Sequence, residues 1–180
     1  MFARTRRLLL RPGFPEDAPQ LAQAIAEHEI VRNLARAPWP YGIEDAKSFL
    51  ASMNEGPLPT FLIFERTAGA PELVGACGFD FKDGGIDYGY WIARKRWGRG
   101  IATEAGRAAL EIARTIGLKS LQAAHFLDNP ASGRVLEKLG FTPTGRTAMH
   151  YSCGRGREAA TRLYRLDLSG GVELTGAMAA

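Results

Sequence analysis

The stretch Trp97-Gly98-Arg99-Gly100-Ile101-Ala102-Thr103-Glu104-Ala105 decides the reading of this chain. It stands between a strand-like run, Ile86 to Ala93, and the clearest helical pattern in the sequence, Ile101 to Ile116. In that pattern Ile101, Ala105, Ala108, Ala109, Ile112, Ala113 and Ile116 recur at helical spacing, and Gly117 supplies a stop. A strand, a tight turn with Gly98 and Gly100, and an immediate long helix make an anion site. Backbone N–H groups at a helix start point outward unpaired, and the helix dipole adds about half a positive charge there. Glycine supplies the backbone angles of such a turn and lets a ligand come close. Arg94, Lys95, Arg96 and Arg99 surround the turn with cations, so the implied ligand carries phosphate.

Two glycines alone do not name that ligand. A Rossmann turn is disfavoured: the third glycine is missing, the turn lies mid-chain, and the preceding strands read as hairpins. A Walker loop is excluded because no Gly-Lys-Ser or Gly-Lys-Thr occurs. A pyrophosphate-bearing carrier such as coenzyme A fits better.

Working outward, Arg6 to Arg11 reads as a strand, and a helical pattern opens at Glu16 or Asp17 and runs through Leu21, Ala24, Ile25 and His28. Pro38-Trp39-Pro40-Tyr41-Gly42 breaks the chain, and a second helix follows with Ala46, Phe49, Leu50 and Met53 on one face, ending near Gly56 and Pro57. Phe61 to Glu65, Leu73 to Phe81 and Ile86 to Ala93 read as antiparallel strands. Leu121 to Leu127 reads as a strand, Pro130 to Leu139 as a helix, and Phe141 to Tyr151 and Thr161 to Leu168 as a final strand pair. The expected fold is a mixed α/β (α+β) domain over 1–168: a mostly antiparallel mixed sheet of about six or seven strands with helices on both faces, and a flexible tail over 169–180.

The bulk properties agree. At 180 residues, 46% of them hydrophobic, the chain suits one compact domain. A net charge of +4 suits an anionic ligand without demanding nucleic acid, for which no zinc pattern or ribonucleoprotein motif is present. The two cysteines, Cys77 and Cys153, give no disulfide framework, and the histidines at 28, 125 and 150 lack metal-ligand spacing, so no metal is expected. No run approaches membrane-spanning length, and Leu8 to Leu10 is too short for a signal-peptide core. The chain reads as soluble and cytoplasmic, a monomer or homodimer.

Three segments together carry a family resemblance. Asp87-Tyr88-Gly89-Tyr90-Trp91-Ile92, the turn from Trp97 to Ala105, and Asn129-Pro130-Ala131-Ser132 with Leu136-Glu137-Lys138-Leu139-Gly140-Phe141 resemble the GNAT N-acetyltransferase superfamily. Within it the chain is most similar to the ribosomal-protein N-terminal acetyltransferase (RimJ/RimL) type, from about Thr5 to Leu168. One departure is Trp97, which stands where many members open the pyrophosphate motif with Gln or Arg.

The resemblance implies acetyl-CoA as co-substrate, held by Ile92, Trp97, Gly98, Arg99, Gly100, Ile101, Ala102, Thr103 and Asn129, and direct attack on its thioester by an amine. At pH 7 an α-amino group costs about 1 kcal/mol to deprotonate and a lysine about 4.6, so a protein N-terminus is the easier acceptor. Asp87 is the favoured general base, with Glu104 or water as alternatives. Asp87 could equally cap the Gly84-Gly85 hairpin, and Glu104 could simply offset the helix dipole. Ser132 is the candidate hydroxyl at the leaving thiol, although a helix-start serine needs no further role. The oxyanion is expected to meet a backbone N–H within Tyr90 to Ala93.

Acceptor contacts are expected from Trp39, Tyr41 and Tyr90. Arg155 and Arg157 read as a solvated hairpin tip that could also steer an acidic acceptor. Small-molecule amines remain alternatives to a protein acceptor, and a non-catalytic acyl-CoA sensor is the alternative to an enzyme.

Overall fold

The run Phe61-Leu62-Ile63-Phe64 is apolar at every position because the strand it forms is buried on both faces. Phe61 and Ile63 join a core with Cys77, Phe79, Tyr88 and Ile92. Leu62 and Phe64 point the other way and join Ala76 and Trp91. The sheet therefore carries a helix layer on each side.

The computed structural model describes residues 1–170; the tail expected from 169 onward lies outside the described residues beyond that point. The strands are β1 (Ala3–Arg4), β2 (Leu8–Arg11), β3 (Thr60–Glu65), β4 (Glu72–Lys82), β5 (Gly85–Ile92), β6 (Ser120–Phe126), β7 (Thr142–Ser152) and β8 (Arg157–Asp167). They form one sheet in the order β1-β2-β3-β4-β5-β6-β8-β7. The helices are α1 (Ala18–Ile25), α2 (His28–Val31), α3 (Ile43–Ser52), α4 (Ile101–Thr115) and α5 (Pro130–Lys138). Ile101, Ala105, Ala109 and Ala113 of α4 cover one face with Leu136 of α5, while Leu21, Ile25, Val31, Ala46 and Leu50 of α1 to α3 cover the other.

The architecture matches the sequence reading, with three differences. The sheet has eight strands rather than six or seven, because Ala3 and Arg4 pair back on Leu10 and Leu9. Two residues are too few to show alternation. The helix read from Glu16 or Asp17 through His28 is broken: Pro15–Asp17 is a 3₁₀ turn, and Ala26, with ψ 51°, separates α1 from α2. β8 begins at Arg157 rather than Thr161, since its half-buried and exposed first residues are ordered by pairing with β7 and not by their own pattern.

Every pairing is antiparallel except β5 with β6, and that ladder has a single register pair, Asp87 opposite Gln122. Past it the two strands run toward their C-terminal ends with no shared ladder. The sheet opens there, at the carboxyl ends of two parallel neighbours, where α/β sheets place ligands.

Candidate active site

The turn that ends at α4 is held from three sides. The Trp97 indole N–H donates to the Ile92 carbonyl at 2.7 Å, fastening the turn to the end of β5. The Arg7 guanidinium donates to the Arg99 carbonyl at 3.0 Å and to Glu104 at 2.7 Å. Gly100 is the N-cap residue with φ 75°, ψ 7°, a left-handed conformation that any side chain would strain. Among the described residues, no protein acceptor takes the backbone N–H groups of Gly98 to Thr103. These donors converge at the positive end of a 15-residue helix, which is the geometry of an anion cradle.

The cationic ring expected around this turn is smaller than the sequence suggested. Arg94 pairs with Glu27 and Glu29, Lys95 with Glu72, and Arg96 with Glu65 and Glu72. Arg99 makes no ion pair among the described residues. The backbone therefore carries most of the attraction for an anion. Trp97 also acts through the turn's shape, because its polar atom is committed to Ile92.

Between the splayed ends of β5 and β6 lie further unpaired donors. The Ala93 N–H donates to the Val74 carbonyl of β4, and bonding alternates along an antiparallel pair. The N–H groups of Tyr90 and Ile92 therefore point away from β4, into the opening. The Tyr90 hydroxyl lies 2.9 Å from the Ser132 hydroxyl on α5. Burial pushes the Tyr90 phenol up to about 12, so it stays protonated. Asn129 precedes α5 without a capping bond from its side chain and also lines the opening.

Asp87 lies on the opposite face of β5, with Gly89 and Trp91 toward the α1–α3 layer, whereas Tyr88, Tyr90 and Ile92 face α4. Burial pushes its carboxyl up to about 6; Asp80 and Asp83 add to this, and Lys82 and Arg36 oppose it. Asp80 stands directly across from it on β4 and is paired with Arg36 at 2.7 Å. Glu104, the competing carboxylate, accepts from the Thr5 hydroxyl at 2.6 Å and from the Arg7 backbone and side chain. Burial pushes that carboxyl up, but the bonds from Thr5 and Arg7 more than reverse it. It braces the turn.

One cleft of about 1160 Å³ brings these groups together. Asp87, Tyr90, Ile92, Trp97, Gly98, Gly100, Ile101, Ala102, Asn129 and Ser132 line it, as does Tyr41. Trp39, Arg99 and Thr103 do not. Trp39 is exposed and meets the His28 ring edge-on, and Thr103 faces a separate basic hollow with Arg4, Arg6 and Arg107. The expectation of a solvated tip fails at Arg155, whose side chain is 5% exposed because it is bonded to Asp128, Asn33 and the Arg32 carbonyl. Sequence reasoning also missed Arg36, Asp80 and His150 along the cleft, which carry no local motif.

The chain matches the family model of the acetyltransferase (GNAT) domain over residues 7–142 and belongs to that family. It is an acetyltransferase. The uncharacterized N-acetyltransferase p20 of Bacillus licheniformis is 29% identical over 149 residues, spanning 78% of this chain and 82% of that protein. The structure of RimL, a ribosomal L7/L12 alpha-N-protein acetyltransferase in complex with coenzyme A, aligns with a TM-score of 0.79 at 18% identity, over 95% of this chain and all (100%) of RimL's. The microcin C7 self-immunity acetyltransferase MccE, in complex with acetyl-CoA and AMP, aligns with a TM-score of 0.74 at 20% identity, over 91% of this chain and 94% of its own. At these identities the structural likeness is one of fold, and it includes the ribosomal-protein acetyltransferases implied by the sequence resemblance.

Proposed function

We propose that this enzyme moves the acetyl group of acetyl-CoA to a primary amine by direct attack in a ternary complex, and that the acceptor is a peptide or protein α-amino group. The observation that carries the reading is the opening between β5 and β6, which joins the helix-start cradle on one face of the sheet to Asp87 on the other. A cleft of about 1160 Å³ has room for two substrates at once.

Acetyl-CoA when bound supplies a thioester carbonyl and a thiol leaving group with a pKa of about 8.5. The N–H groups of Gly98 to Thr103, with Arg99 beside them, hold its pyrophosphate, and Ile92 and Asn129 line the path of its arm. The N–H groups of Tyr90 and Ile92 are the donors for the carbonyl oxygen. Asp87, at a pKa of about 6, is roughly nine-tenths ionised at pH 7 and takes the amine's proton directly or through one water. The N–C bond forms as the C–S bond breaks. Transfer of the Tyr90 proton to the sulfur would be uphill by about 5 kcal/mol, so Tyr90 and Ser132 donate a hydrogen bond instead.

The choice of an α-amine follows from its cost of deprotonation, about 1 kcal/mol at pH 7 against about 4.6 for lysine. The test is thiol release from acetyl-CoA with free N-terminal peptides, a lysine peptide blocked at its N-terminus, and small amines. Intersecting initial-velocity lines and faster turnover of free α-amines are expected. Tight acetyl-CoA binding with no turnover on any amine would instead make the protein an acyl-CoA sensor.

A further inference from the structure

Gly89 is exposed although it sits in a central strand of an eight-stranded sheet. Its neighbours on the same face are Asp87 and Trp91, and all three line the cleft. A Cβ built on Gly89 would meet nothing within 4 Å, and its backbone is not in the left-handed region. Neither packing nor conformation requires glycine at this position. Gly78, directly opposite on β4, differs: Thr60 lies 2.7 Å from where its Cβ would be. The space above Gly89 is open.

We propose that Gly89 sets the size of the acceptor subsite: the atoms next to the acceptor's amine lie against its bare backbone, between Asp87 and Trp91. This rests on the acetyl-transfer reading above and adds to it a residue that determines specificity. An amine delivered to Asp87 from the α1–α3 side crosses this floor, and any side chain there takes the volume of the acceptor's first carbon atoms. Acetyl-CoA, held on the α4 face of β5, does not meet it.

The experiment compares wild type, Gly89→Ala and Gly89→Val with acetyl-CoA and tripeptides that begin with Gly, Ser or Phe. One added methyl group in a fitted subsite costs roughly 10- to 100-fold. The expected result is a loss of that size in kcat/KM for the peptides, larger for Val than Ala and steeper for Phe than Gly, with KM for acetyl-CoA within twofold. The melting temperature should hold or rise, because alanine is better than glycine in a strand. An active wild type matched within twofold by Gly89→Val on every peptide overturns the assignment and leaves the transfer reaction standing. An equal rise in KM for acetyl-CoA also overturns it, by moving Gly89 to the cofactor side. A wild type that binds acetyl-CoA and acetylates none of the peptides overturns the assignment together with the α-amine acceptor on which it rests.

Discussion

Arg155 grips Asp128 through two parallel hydrogen bonds, Nη1 to Oδ2 and Nη2 to Oδ1, each 2.8 Å long. The same guanidinium donates to the Arg32 carbonyl at 2.6 Å and to Asn33 at 3.1 Å, and lies 4.3 Å over the Phe126 ring. Three segments distant in sequence meet at this one side chain: the β7–β8 hairpin tip, the chain leaving α2, and the turn that carries Asn129 into α5.

Arg155→Lys removes the fork and the planar stack, which an ammonium cannot replace. Urea unfolding at pH 7 should show a loss of about 2 kcal/mol, and KM for acetyl-CoA should rise because Asn129 is the next residue after Asp128. The hydrogen bond from Arg155 holds the Asp128 carboxyl below its ordinary value. Its stabilisation is therefore present above the unfolded pKa of about 3.9 and lost as pH falls through the folded value. The gap between variant and wild type should narrow in acid.

Asp87→Asn should change activity and stability in opposite directions. With base and amine both titrating, kcat/KM of the wild type rises with slope two below about pH 6 and slope one from there to the amine's pKa. The variant should show slope one throughout and much lower turnover. Because the folded pKa is raised, the wild type loses stability as pH climbs from about 4 through 6. At pH 8 the variant should be more stable by about 2 to 3 kcal/mol in denaturant titration.

Glu104→Gln separates bracing from proton transfer. Losing the charge opposite Arg7 should loosen the turn, raising KM for acetyl-CoA several-fold and costing about 1 kcal/mol. The slopes of the pH–rate profile should not change. A missing acid limb in this variant would move the base from Asp87 to Glu104.

Ser132→Ala should be mild. Expelling a thiol of pKa about 8.5 unprotonated at pH 7 costs only about 2 kcal/mol, which caps the loss in kcat near 30-fold. The deficit should shrink as pH approaches 9. A thousandfold loss, or one independent of pH, would show that Ser132 does something other than assist the departing sulfur.

The helix-start turn and most of the order of strands and helices were legible in the sequence because they rest on near neighbours, and the family was legible through the resemblance of three motifs. Two glycines before a periodic helix announce an anion cradle from nine consecutive residues, and Gly84-Gly85 between two strand-like runs announces a hairpin. Arg155 misled because a hairpin tip rich in Gly and Arg has the composition of a solvated turn. Its burial depends on Asp128 and Arg32, which are distant in sequence. The cations around the turn misled for the same reason, since Glu27 between α1 and α2, Glu65 on β3 and Glu72 on β4 reach them only in the folded chain.

By itself, then, the sequence determined the helix-start turn and the layers of the fold, which follow from local periodicity and turn chemistry, and the family was read from the resemblance of its three motifs. Only the tertiary structure decided which carboxylate is committed and which faces the cleft. Glu104 and Asp87 look alike as residues and both are desolvated; what separates them is the Thr5 and Arg7 bonds that offset burial at Glu104 and the lack of such an offset at Asp87. Charge pairing and burial are properties of the packed chain.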